Sequence, residues 1–341
     1  MAAMTGKQKA AIPVTDLAPF FHGSAKDKID VAQSVAKSCE DIGFLVVKGH
    51  SVPQTAIDKT IALGFAFFDL PTEVKSQWHP TGPAKQRGYH GMETRGLAST
   101  LDQEAPKDLR ESIFLGPVDD HRQHYATIPE AKTAYAANLI PHQPPGFDHA
   151  LQEIYRGFER LASDLMRVFA VALHFPEDAF APLINRHFSI LSVHHYPALA
   201  VAPKPGQLRT GAHTDYGSLT ILAMTEADGG LEAQSADGEW IPVQAQRGEL
   251  VVNLGDMMQR WTNDRWISTM HRVVTPEKLD DAASRRMSIG YFMHPNFDAE
   301  IACIPSCLNP GEIPKYEPIT AGGHIREKIE KSHADVDAGK A

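Results

Sequence analysis

Hydrophobic periodicity changes once along the chain, near residue 186, and that change limits the folds open to it. Upstream, Leu151, Ile154, Tyr155, Phe158, Leu161, Leu165, Val168 and Phe169 recur every three or four positions between residues 149 and 174. That spacing is one face of a long amphipathic helix. Downstream, apolar residues alternate instead. "HFSILSVHHYP", "SLTILAMT", "GLEAQ", "EWIPVQA", "ELVVNLGD", "HRVVTP" and "RMSIGYFM" read as short strands in regular succession. Asp237-Gly238 between two of them is a tight-hairpin signal. Many short strands in a row predict a sandwich or jelly roll.

The part before residue 149 is mixed. "IPVTDLAPF" is a strand-like run, and Ile29, Ala32, Val35, Ala36, Cys39 and Ile42 fall at helical spacing behind Ser24, a suitable N-cap. "FLVVKGHSVP" reads as a buried strand ending in a turn. Residues 54–77 read as helical with a break at Pro71, and the Gly- and Pro-rich stretch 79–147 as loop-dominated. The expected class is α+β: a β core preceded by a helical and mixed region. The division is residues 1–150 for the N-terminal region, 151–182 for the supporting helix, 183–300 for the core and 301–341 for a polar extension with a frayed tail.

Composition narrows the function classes. A net charge of -9 offers no electrostatic case for nucleic acid or an anionic membrane as partner. No apolar run approaches ~18 residues, the length of a membrane span, and the first residues lack the apolar core of a secretory signal. Three cysteines in 341 residues fit a reducing compartment, so a cytoplasmic location is expected. Cys39 lies on a helix face, and Cys303 and Cys307 lack zinc-site spacing.

The chemistry starts at "GAHTDYGSLT", where His213 and Asp215 stand two apart. In an extended strand both would reach toward one ion. His271, at the head of the alternating run "HRVV", supplies a third ligand. Two histidines and a carboxylate on one face of an ion, with positions left open, suit the Fe(II) of non-haem oxygenases. In "SRRMSIGYF", Arg286 and Ser288 share a strand face with Gly290 and Phe292, while Met287, Ile289, Tyr291 and Met293 take the other. An arginine inside a β core needs a negative partner. A guanidinium with a neighbouring hydroxyl suits a carboxylate ligand.

With these residues in place, the chain from about 12 to 320 resembles the isopenicillin N synthase-like Fe(II)/2-oxoglutarate-dependent dioxygenase family. "DIGFLVVKGHSVP", "FFDLP", "RGY" and "DLRESIFLG" in the first half are similar to its landmarks. "HHYP", "HTDYGSLTIL", "GGLEAQ", "VVNLGDMMQRWTN", "STMHRVV" and "RMSIGYF" follow in the family's order. The resemblance implies a distorted double-stranded β-helix, or jelly roll, with flanking helices. It implies Fe(II) on His213, Asp215 and His271, 2-oxoglutarate on Arg286 and Ser288 with Tyr196 as a further contact, and O2 as co-reactant. The implied reaction oxidises a small organic molecule, by default hydroxylating it, with release of succinate and CO2.

Two departures stand out. The segment between His271 and Arg286 is long, so Arg285 competes with Arg286 for the co-substrate; strand alternation favours Arg286, which shares a face with Ser288. His194 stands where many relatives carry Asn. Rival readings are a co-substrate-independent oxidase, an ethylene-forming-type oxygenase, a zinc-dependent hydrolase and a non-catalytic binding module of the same fold. Arg87, Tyr89, Phe114 and Phe292 are candidates for lining the substrate pocket. Neither the substrate nor the oligomeric state is legible.

Overall fold

The computed structural model describes residues 11–82, 84, 86–94, 106–199, 202–226, 230–276 and 284–338. Much of the long segment between His271 and Arg286 therefore lies outside the described residues. Strand β1 (Val14–Asp16) and helix α1 (Ala18–His22) open the fold. Ser24 caps helix α2 (Ala25–Asp41): its hydroxyl accepts from the Asp27 amide, and the Asp27 carboxylate accepts from the Ser24 amide. That reciprocal box satisfies two donors a helix end would otherwise orphan. Of the expected apolar face, Ala32, Val35 and Cys39 are buried, but Ile29 is 50% exposed and Val31 is buried instead. Strand β2 (Phe44–Lys48) and helices α3 (Gln54–Phe68) and α4 (Thr72–Ser76) follow, the helices parted at Pro71.

Residues 79–147 are less loop-like than their composition suggests. They contribute strands β3 (Gly88–His90) and β4 (Glu111–Leu115). All five residues of β4 are buried, the polar Glu111 and Ser112 among them, so no in-out alternation of hydrophobicity marks it. Helix α5 (Phe147–Ala172) buries the whole predicted stripe; a residue such as Leu161 or Leu165 contributes roughly 1.5–3 kcal/mol when fully buried.

After helix α6 (Ala181–Ile184) come β5 (Ile190–Tyr196), β6 (Thr210–His213), β7 (Leu219–Met224), β8 (Leu231–Gln234), β9 (Trp240–Pro242) and β10 (Leu250–Leu254). Helix α7 (Asp256–Trp261), β11 (His271–Val273) and β12 (Arg286–Met293) complete the core. The tail is ordered where it is described: β13 (Glu300–Ile301) pairs with β14 (Ile319–Thr320), and helix α8 (Ala321–Ala338) follows. Among the described residues no helix is long and apolar enough to cross a membrane.

The larger sheet runs β1-β2-β10-β7-β12-β5-β4-β3 and the smaller β6-β11-β8-β9. Strands β5, β12, β7 and β10 face the smaller sheet as a jelly roll, with Val46, Tyr196, Leu231, Ala233, Val251 and Val273 packed between the two. Strands of the N-terminal region thus extend the same sheet that carries the core. Behind the larger sheet, Ile113, Val193, Ile289 and Tyr291 pack with the helices α3 and α5 in the main core. One face of this sheet turns to the smaller sheet across a space, the chamber, and the other builds the core.

A polar network is set into that rear core. The Glu111 carboxylate accepts from Lys75 Nζ at 2.7 Å, Tyr89 Oη at 2.6 Å and His195 Nδ1 at 2.8 Å. Arg285 Nε donates to His195 Nε2 at 2.8 Å, and its Nη2 reaches Asp69 at 2.7 Å. Burial alone would raise the Glu111 carboxyl, but hydrogen bonds from His195, Lys75 and Tyr89 outweigh it and hold the group below its ordinary value. A carboxyl depressed in the folded state stabilises above its unfolded pKa, and that contribution is lost as pH falls through the folded value. Glu111→Gln, which strands Lys75 without a counter-charge, is expected to lower the unfolding free energy by about 3 kcal/mol at neutral pH. The gap from the wild type should narrow on acidification. Denaturant titrations at neutral and acid pH measure it; a gap independent of pH would remove the charge from the explanation.

Candidate metal and co-substrate site

His213 ends β6 and His271 begins β11, and the two are directly paired across the smaller sheet. Their rings lie 4.3 Å apart between centroids. His213 Nδ1 donates to the Gly211 carbonyl at 2.8 Å and His271 Nδ1 to the Thr269 carbonyl at 3.0 Å. These bonds fix the tautomer, so each Nε2 presents a lone pair. Both Nε2 atoms converge on Asp215 Oδ1, at 3.7 and 3.8 Å.

Asp215 is not on the strand with His213, as the spacing suggested. Strand β6 stops at His213, and the chain turns before β7. The Asp215 carbonyl accepts from the Asp256 amide at 2.7 Å, which anchors the turn. Its Oδ2 accepts from Thr220 Oγ1 and from Asn253 Nδ2 at 2.7 Å, leaving Oδ1 for the histidines. Sequence reasoning passed over Thr220 and Asn253, although both lie in motifs it quoted. Only the strand register, which sets Asn253 opposite Thr220, shows their role.

The three ligand atoms lie within 4.8 Å of one another, and all three residues are buried. Burial first, and the neighbouring His271 second, push His213 down to about 3. Burial raises the Asp215 carboxyl, but His271, His213, Thr220 and Asn253 outweigh it and keep the group ionised. Two imidazole nitrogens and one carboxylate oxygen, close-set, suit a divalent ion of intermediate hardness.

Deeper in the chamber, β12 pairs with β5 so that Arg286 faces Tyr196 and Ser288 faces His194. The Arg286 guanidinium lies 5.4 Å from the Tyr196 ring centroid, and its Nη2 sits 3.0 Å from Met224 Sδ. Its Nη1 is buried without an acceptor among the described residues. Burial lowers its pKa, with Tyr196 opposing. A buried guanidinium that meets a thioether and an aromatic face is a site awaiting an anion. Tyr196 Oη lies 3.3 Å from Thr210 Oγ1. Arg285 points the other way, into the network behind the sheet.

Arg87 and Tyr89 do not line the chamber. Arg87 donates to the carbonyls of Gln86, Ala134 and Ala136, and Tyr89 donates to Glu111. Phe114 lies on the chamber side, edge-on to His90 and His194, and Phe292 shares the Arg286 face of β12.

Comparison with known proteins agrees with this geometry. Residues 12–143 match the family described as the N-terminal region of non-haem dioxygenases in morphine synthesis, and residues 183–295 match the 2OG-Fe(II) oxygenase superfamily. The 2-oxoglutarate-Fe(II) type oxidoreductase hxnY of Emericella nidulans is 30% identical, covering 97% of this chain and 93% of its own. The chain belongs to the 2-oxoglutarate–Fe(II) oxygenase superfamily. The proline hydroxylase buaE of Petromyces alliaceus is 32% identical over 84% of this chain and 89% of its own. Among solved structures, a full-length Neurospora crassa protein in complex with alpha-KG and thymine superposes with a TM-score of 0.79 at 30% identity, over 94% of this chain and 96% of its own. A 2OG-Fe(II) oxygenase family protein from Caulobacter crescentus gives 0.78 at 30% identity, over 95% and 100%. The protein is a 2-oxoglutarate-dependent dioxygenase, an oxidoreductase that takes Fe(II) and 2-oxoglutarate and acts on small molecules.

Groups that orient a metal ligand typically carry ten- to a hundredfold in metal affinity. Thr220→Val and Asn253→Ala are each expected to weaken Fe(II) binding about tenfold or more with the fold intact. Anaerobic equilibrium dialysis reads the affinity; unchanged binding in both variants would show that Asp215 needs neither partner.

Proposed function

We propose that His213, Asp215 and His271 hold Fe(II), that Arg286 and Ser288 hold the distal carboxylate of 2-oxoglutarate with Tyr196 beside them, and that the enzyme hydroxylates a small organic substrate. The observation that carries this reading is the convergence of three buried ligand atoms within 4.8 Å, in a chamber where Arg286 Nη1 is buried without an acceptor among the described residues.

Iron bound there would use O2 and 2-oxoglutarate to oxidise a substrate C–H bond, with succinate and CO2 released. The chain's own part is positional. The Gly211 and Thr269 carbonyls hold the two imidazoles, and Thr220 and Asn253 hold Asp215 to one oxygen. Phe44 lies edge-on to His271 at 5.5 Å and keeps water from that side. The Arg286 fork offers two parallel charge-assisted bonds to a carboxylate, and Ser288 a third. Hydroxylation as the outcome is supported by relatives named for it: the proline hydroxylase above and a homoarginine-6-hydroxylase of Oryza sativa, 30% identical over 95% of this chain and 98% of its own.

The adjacent arginines provide the test. Arg286→Gln is expected to raise the KM for 2-oxoglutarate about tenfold or more, from the loss of charge-assisted bonds worth roughly 1.5–3 kcal/mol. Arg286→Lys should recover only part, because an ammonium cannot reproduce the fork. Arg285→Gln should change this KM less than about threefold while lowering thermal stability, since it breaks the network at His195. Succinate release against 2-oxoglutarate concentration decides it. A sensitive Arg285 with a silent Arg286 would overturn the assignment.

A further inference from the structure

The chamber holds a second guanidinium that the iron and the co-substrate leave unused. Arg110 immediately precedes β4 and shares a face with Ser112, which is paired with His194 of β5. Its Nη1 donates to His194 Nε2 at 3.2 Å, and His194 Nδ1 in turn lies 2.7 Å from Ser112 Oγ. Because arginine only donates, His194 is held as the tautomer that accepts at Nε2. On the opposite side His194 faces Ser288, so Arg110 reaches the chamber beside the co-substrate position.

Asp108 pairs with Arg110 but does not saturate it. The closest contact is Nη2 to Oδ2 at 3.3 Å, and Asp108 Oδ1 accepts from the Gly211 amide of β6 at 3.0 Å. A carboxylate that fully satisfies an arginine makes two short parallel bonds. Here the two groups met are His194 at Nη1 and Asp108 at Nη2. Only 9% of the side chain is exposed, so the group is partly desolvated.

We infer that Arg110, oriented by His194 and Asp108, is the specificity residue of the chamber, and that the substrate is a small molecule bearing a carboxylate that Arg110 binds. The inference rests on the functional reading above and adds the substrate class.

The test uses the iron-loaded enzyme at saturating 2-oxoglutarate, so that added acids cannot occupy Arg286. A panel of small carboxylic acids, each beside its own primary amide, is assayed for substrate-driven succinate release. At least one acid is expected to drive release with a KM about tenfold or more below its amide's, the worth of a charge-assisted contact. Arg110→Gln should raise the KM for that acid about tenfold or more and shift the KM for 2-oxoglutarate by less than about threefold. Arg110→Lys, which keeps the charge and loses the fork, should fall between. Amides equalling their acids, no acid that drives release, or an acid preference that survives Arg110→Gln would each overturn the inference. A wild-type enzyme that binds no iron or ignores 2-oxoglutarate would instead strike the functional reading. An iron-loaded, 2-oxoglutarate-dependent enzyme that prefers amides strikes this inference alone.

Discussion

Three adjacent polar pairs, Arg110–Glu111, His194–His195 and Arg285–Arg286, are divided by the two-residue period of the larger sheet. Glu111, His195 and Arg285 point backward and join Lys75, Tyr89 and Asp69 in one network, buried at Glu111 and reaching the surface at Asp69. Arg110, His194 and Arg286 point forward into the chamber. A one-residue slip in β4, β5 or β12 would exchange the two sets. It would press guanidiniums against the apolar helices and leave the chamber without its cations. The rear network resists that exchange, because Lys75, Glu111 and His195 are buried and matched to specific partners. Register is therefore set behind the sheet, and the chemistry in front depends on it.

The same separation explains why the chamber can keep charges that a core would reject. Arg286 is buried, and among the described residues its guanidinium meets a thioether and an aromatic ring while Nη1 has no acceptor. Such an arrangement costs stability in the empty protein and is offset when an anion arrives. Asp215, by contrast, is satisfied before any metal binds: two donors hold one of its oxygens, and its turn is tied to Asp256. The ligand set is built rigidly, and the anion sites are left to be completed by what they bind.

Much of this was legible in the sequence, for physical reasons. Strands with one face in the chamber and one in the core announce themselves by alternation. The opposite facings of Arg285 and Arg286 and the coherence of the Arg286–Ser288 face followed from period two alone. The helix α5 stripe and the Ser24 cap are equally local signals. What stayed hidden depended on long-range pairing. Strand β4 buries Glu111 and Ser112, whose burial makes sense only with Lys75 and His194 in place, so the stretch read as loop. Asp215 meets His213 through a turn rather than along a strand, and nothing local marks Thr220 and Asn253 as its holders.

Iron-edge anomalous diffraction from crystals grown anaerobically with Fe(II) and 2-oxoglutarate tests the whole arrangement most directly. One strong peak per chain is expected, bonded to His213 Nε2, Asp215 Oδ1 and His271 Nε2, with co-substrate density running from it to the Arg286 guanidinium. Iron bound anywhere else, or 2-oxoglutarate bound with its distal carboxylate away from Arg286, would contradict it.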